Sequence, residues 1–171
     1  LMPSLEVHLY ETHVGDLVGD SWRDFDFVAM GAAIDRFGVG STVLSESVPL
    51  VPRQPRGKAA RRRVFFDELL PEGAARQRLA DRARVTPMDT LGLLASYGRD
   101  VAGAVRVIDP TAADAADPPR ARALSTADIV DLLDDVAAFP LGNAPMSGKA
   151  SLAGVQEKVL LARVGDRWAQ C

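Results

Sequence analysis

Cysteine is nearly absent from this chain. The one cysteine, Cys171, is the last of the 171 residues, so no disulfide can close within the chain and no cysteine-based metal centre can be built. A reducing cytoplasm is the expected compartment. Histidine is almost as scarce: His8 and His13 are both in the first strand-and-turn region, with no Asp, Glu or Cys in a ligand-like pattern, so no metal site is expected. No run approaches the roughly 20 apolar residues of a membrane-spanning helix, and the start lacks the basic and apolar regions of a signal peptide. No membrane association is expected. Nor is there an excess of one charge. Twenty Lys and Arg against 23 Asp and Glu give a formal net charge of -3, which excludes the chain as a whole from being an electrostatic binder of nucleic acid or lipid.

What remains is an ordinary globular balance, 47% hydrophobic and 25% charged, enough to bury a core in one or two domains. From Leu5 to Met30, short apolar runs alternate with turn residues: "LEVHLY", "HVGDLVG" and "WRDFDFVAM" read as three strands of a small antiparallel sheet. Gly15 and Asp16 are placed to turn or bulge the second. "STVLSESVPL" reads as a further strand ending at Pro49, since proline cannot donate to a central ladder.

The middle is helical. In "RRRVFFDELLPEGAARQRLADRA", Phe65, Phe66, Leu69 and Leu70 fall at helical spacing as core residues, and Pro71 fits the first turn of a second helix. "VTPMDTLGLLASYG" is punctuated as a helix with Thr86 as cap, Pro87 at the first helical position and Gly98 as a left-handed stop. "GAVRVID" returns to strand, and Arg99 and Asp100 before it are read as fixing a turn. After the Asp, Ala and Pro-rich stretch "DPTAADAADPPRARA", Ser125 and Asp128 make a capping box for a helix that Pro140 ends. The expected fold class is α+β: a small antiparallel N-terminal sheet, a helical subdomain, and a β-hairpin that starts a further unit after about Leu141. The expected divisions are 1–108, a linker over 109–124, a connecting helix over 125–140, and a further segment over 141–171.

Two stretches invite a phosphate-binding reading. "GNAPMSGKAS" mimics a Walker A loop, but Gly142 and Gly148 are one residue too far apart, and Ala150 stands where the magnesium-binding hydroxyl belongs. It reads as a Gly/Ser loop. In "SLAGVQEKVLLARVGDRWAQ", Ala153 and Gly154 leave backbone N–H groups free to face phosphate oxygens between two strands, and Lys158 adds a positive charge. Gly165 and Asp166 form the turn of the hairpin that follows. A plain β-hairpin fits the same residues. "RQPRGKAARRR", Arg53 to Arg63, is a local basic patch; it reads either as a solvated loop or as a contact to phosphates or an acidic partner.

Five segments in order, "VHLYETHVGDLVG", "LSESVPL", "FFDELLPEG", "LLASYGRDVAGAVRV" and "SLAGVQEKVLL", resemble the HipA family of bacterial serine/threonine kinase toxins. The resemblance implies an ATP- and Mg2+-dependent kinase that phosphorylates a cytosolic protein, in the best-known case an aminoacyl-tRNA synthetase for glutamate, blocking translation and promoting persistence. It also implies restraint by a HipB-like helix-turn-helix antitoxin that binds operator DNA. By the same resemblance 141–171 is the start of a kinase N-lobe with the first β-hairpin of that lobe; Ser151, Ala153, Gly154, Val155, Gln156, Glu157 and Lys158 form the loop over the ATP phosphates, and Ser151 is an autophosphorylation site. A phosphate there would set about two negative charges beside the loop and eject nucleotide. The family's nucleotide-binding lysine, catalytic aspartate and metal-binding aspartate match no residue of this sequence, so no catalytic residue is assigned and the chain alone is expected to be inactive. The alternatives are a stand-alone interaction module that neutralises a shortened kinase, and a DNA-associated scaffold acting through the basic loop.

Overall fold

The computed structural model describes residues 4–101, 103–112, 122–134 and 161–170. Its first sheet has four antiparallel strands in the order β3-β2-β1-β6. β1 (Leu5–Leu9) and β2 (Thr12–Val18) form the hairpin expected from their alternation, followed by β3 (Asp26–Ala29); β6 (Val105–Ile108) pairs along the other side of β1. One residue in two on β1 and β6 is buried, the pattern of a sheet with one face packed and one wet. Leu5, Val7, Val14, Leu17, Phe27 and Val107 belong to one core cluster.

The β1/β2 ladder is not regular. Leu5 faces Leu17 and Val7 faces Gly15, but His8 faces His13, so the register shifts by one at Val14. The bulge foreseen near Gly15 is therefore present. Gly15 has a second duty: a Cβ there would overlap the ring edge of Phe27 and the carbonyl of Val28, so only glycine lets β3 and its ring lie this close.

Helices close the buried face. α1 (Gly31–Phe37) has no capping side chain at Met30, which is why no start signal marked it; burial of Ala33 and Ile34 holds it in place. The segment 41–50 is two strands rather than one, β4 (Ser41–Ser45) and β5 (Val48–Leu50), because the Ser45 hydroxyl takes the Ser47 N–H at 3.2 Å and turns the chain there. α2 (Ala59–Asp67) sends Phe66 into the core, 5.9 Å from the Phe27 ring centre and 6.5 Å from that of Phe25. α3 (Gly73–Ala83) starts two residues after Pro71, which precedes the cap rather than entering the first turn.

α4 (Thr90–Tyr97) corrects the expected punctuation. Its cap is Asp89, whose carboxylate accepts the Gly92 N–H at 3.0 Å; Thr86 and Pro87 lie in a turn before it. Gly98 has φ −63, an ordinary right-handed value. Glycine is required there for another reason: a Cβ would sit 2.5 Å from the Val107 carbonyl oxygen. The helix thus ends hard against β6, burying Leu91, Leu93, Leu94 and Tyr97, each worth roughly 1.5–3 kcal/mol when fully removed from water.

The later residues form a separate small sheet in the order β7-β9-β8, from β7 (Arg122–Leu124), β8 (Ala162–Val164) and β9 (Arg167–Gln170). α5 (Thr126–Asp134) follows β7 directly, and its capping box is as read: the Ser125 hydroxyl accepts the Asp128 N–H while the Asp128 carboxylate accepts the Ser125 N–H at 2.8 Å. No helix of the described residues is long and apolar enough to cross a membrane. The α+β architecture with small antiparallel sheets is the expected one.

Candidate functional site

The proposed phosphate loop, Ser151, Ala153, Gly154, Val155, Gln156, Glu157 and Lys158, lies outside the described residues, as does the Walker-like stretch before it. The hairpin that follows the loop is present. Gly165 turns it at φ 61, a left-handed value that favours glycine, and Arg163 makes a 3.6 Å exposed pair with Asp166 across the turn. β9 then pairs on its other side with β7, Leu124 opposite Trp168, so Ala169 and Leu124 are buried although Trp168 is half exposed.

The basic run separates into two sets. Arg53, Arg56, Lys58 and Arg61 are exposed. Arg62 and Arg63 turn inward, because α2 packs on β3 through this edge. Arg62 is 1% exposed; its Nε and Nη2 donate to the two carboxylate oxygens of Asp26 at 2.5 and 2.7 Å, and Nη2 also donates to the Pro55 carbonyl. Its Nη1 has no partner among the described residues. Arg63 donates to the Phe25 carbonyl at 3.1 Å. Burial pushes the Asp26 carboxyl up, but the Arg62 hydrogen bonds, the Phe27 N–H and the charges of Arg62 and Arg63 outweigh it, holding Asp26 below the ordinary carboxylate range.

Beside this pair an open groove of about 610 Å³ is lined by Trp22, Phe25, Val64 and Met88 together with Arg23 and Arg63. Asp67 also borders it but is engaged: it accepts from Arg76 Nη2 and from the Thr90 hydroxyl, both at 2.5 Å. The groove therefore combines apolar surface with cations and with the carboxylates of Asp67 and Glu72.

Comparison with known proteins decides the family. Residues 5–108, the four-stranded sheet with its helices, match the family model of the HipA N-terminal domain. The chain belongs to the HipA family. The Sinorhizobium fredii protein Y4mE, which bears the name of a kinase, is 31% identical over 160 residues, 91% of this chain and 37% of its own length. The serine/threonine-protein kinase toxin HipA of Shewanella oneidensis is 24% identical over 166 residues, 97% of this chain and 36% of its own. A solved complex of HipA, HipB and operator DNA from the same organism superposes with a TM-score of 0.68 at 27% identity, over 96% of this chain and 37% of that one. The present chain thus spans about a third of the length of the relatives it matches.

Within this HipA N-terminal domain, sequence reasoning missed the inward half of the basic run. The available signal was Asp26 in "WRDFDFVAM": an acidic residue entering an otherwise apolar strand needs a cation, and the arginine-rich segment is the nearest supply.

Proposed function

We propose that this HipA-family chain is the N-terminal portion of a toxin kinase and serves it as a non-catalytic docking and framing unit. The single observation that supports the reading most is the match over residues 5–108, a sheet-and-helix unit with its own core, in a chain that spans about a third of the length of its kinase-named relatives. Under this proposal the whole protein phosphorylates serine or threonine on a cytosolic protein, an aminoacyl-tRNA synthetase by family resemblance, using ATP and Mg2+ held in part by Ser151 to Lys158. A HipB-like antitoxin restrains it, and operator DNA is reached through that antitoxin.

The chain alone transfers no phosphate, because phosphoryl transfer needs metal ions and a base placed around the γ-phosphate and no residue of this sequence matches those of the family. Incubation of the purified chain with labelled ATP, Mg2+ and a general protein substrate is expected to leave both proteins unlabelled, while the chain co-purifies with a HipB-like protein when the two are co-expressed. Stoichiometric phosphorylation by the chain alone would overturn the first expectation. Failure of the pair to associate at low and moderate salt would overturn the second.

A further inference from the structure

The solvent face of the first sheet gathers both of the chain's histidines. Glu6 and His8 are two apart on β1 and so share a face. His13 and Asp16 are three apart on β2; in a regular strand they would point to opposite faces. The bulge at Val14 changes this. It adds one residue between them, so Asp16 stands opposite Glu6 and His13 opposite His8, all four on the same side. The two imidazoles stack with ring centres 4.9 Å apart and planes inclined by 14°.

The contacts inside the cluster have the chemistry of a cation site. His8 Nε2 lies 2.9 Å from Glu6 Oε2, sharing one proton with it. That spacing is close to the edge of a tetrahedral zinc centre, about 3.3 Å for bonds of roughly 2.0–2.1 Å. One divalent ion can therefore replace the shared proton with little movement of either group. His13 Nε2 faces two acceptors, the Gly15 carbonyl at 3.1 Å and Asp16 Oδ1 at 2.9 Å, which fixes Nε2 as its protonated nitrogen and Nδ1 as the basic one. A carboxylate and a carbonyl behind a histidine are the partners that orient a metal-bound ring. One ligand atom from each of Glu6, His8 and His13 lies within 4.8 Å of the others, a distance that side-chain adjustment on binding has to shorten for one ion to reach all three. The nearby cation Arg106, opposite His8 on β6, is held at the hairpin turn by the Tyr10 carbonyl at 3.0 Å and by Glu11. Arg36 is likewise engaged by the Thr12 hydroxyl.

We propose that Glu6, His8 and His13, with Asp16 orienting His13, form a site for one divalent first-row transition ion of the zinc class, which clips β1 to β2 across the bulge. Two imidazoles and a carboxylate with open positions suit Zn2+, Ni2+ or Co2+ and not Mg2+ or Ca2+, which demand oxygen ligands. The site is independent of the kinase reading and holds whether or not that reading does. The sequence offered no ligand spacing here because the bulge, not the numbering, creates it.

The test uses the tag-free full chain carrying Cys171→Ser, so that no other imidazole or thiol competes. Titration with Zn2+ alone is expected to give one ion per chain and a rise in melting temperature, with Mg2+ giving neither. His13→Ala is expected to abolish saturable binding, and Asp16→Asn to weaken it by about 10- to 100-fold, as loss of an orienting partner does. Because the chain has two histidines, its imidazole NMR signals provide a second measurement on the unaltered site: both are expected to shift together and saturate at one equivalent. Absence of saturable zinc binding overturns the proposal. So does zinc binding that survives His13→Ala, or that moves only one of the two imidazole signals.

Discussion

Asp26→Asn is expected to be a strongly destabilising change in the N-terminal domain. It leaves the volume of the side chain intact but strips the charge from the partner of Arg62, a guanidinium 1% exposed whose Nη1 already lacks an acceptor among the described residues. Removing one member of a buried pair costs about 3–5 kcal/mol, because the remaining charge cannot be solvated. Asp26 itself keeps 31% of its side-chain exposure, so water relieves part of the loss and the low end applies, about 3 kcal/mol. For a domain of this size that is a fall in melting temperature of roughly 12–24 °C. Arg62→Met removes the buried charge together with its desolvation and fills the space with apolar atoms, and the Asp26 carboxylate left behind still has water, the Phe27 N–H and the Arg63 charge to stabilise it. Its expected cost is within about 1 kcal/mol, and the double variant should resemble it.

Urea unfolding of the three variants, followed by circular dichroism, reads these differences directly. The reasoning is refuted if Asp26→Asn costs under about 1 kcal/mol, or if Arg62→Met is as harmful as Asp26→Asn. The pH dependence supplies an internal check. Arg62 holds the Asp26 carboxyl below its ordinary value of 3.8, so below that pH the unfolded chain takes up a proton that the folded chain still refuses. The contribution of the pair is therefore complete above about pH 4 and declines as the pH falls through the folded value. Asp26→Asn should flatten that part of the stability profile.

Two further outcomes follow from backbone approach and capping. Gly15→Ala forces a methyl into the Phe27 ring and the Val28 carbonyl; overpacking of this kind costs about 1–3 kcal/mol, and a denaturation midpoint equal to that of the unaltered chain would contradict the contact. Asp89→Ala removes the α4 cap and is expected to cost about 1 kcal/mol, whereas Thr86→Ala should be nearly neutral; thermal melts showing the reverse order would restore Thr86 as the cap.

The elements most legible in the sequence are those whose signals are local. Alternation in "LEVHLY" and "HVGDLVG" marks β1 and β2, Gly165 and Asp166 mark the last turn, and Ser125 with Asp128 marks α5. Signals that depend on distant contacts were misread or invisible. Gly98 looks like a helix stop, but its lack of a side chain serves Val107, nine residues later. α1 has no cap and exists through tertiary burial. Thr86 and Asp89 carry equally good capping chemistry, and only the tertiary setting, in which Arg76 takes the Pro87 carbonyl, selects between them. Of the candidate sites, the phosphate loop rests on Gly154, Lys158 and the family resemblance, and it lies outside the described residues. The inward arginines and the His8 and His13 cluster depend on pairings that no spacing rule contains.

The order in which β1 acquires its neighbours governs how this domain can be made. β1 comes first in the domain's own strand order and is an interior strand of its sheet, yet the second strand beside it, Val105–Ile108, is the last strand of that domain. Until it arrives, Glu6 to Leu9 present an unpaired ladder edge of the type that recruits other chains. A nascent or truncated product ending before Val105 should thus be sticky, and folding on the ribosome must wait for the whole domain to emerge.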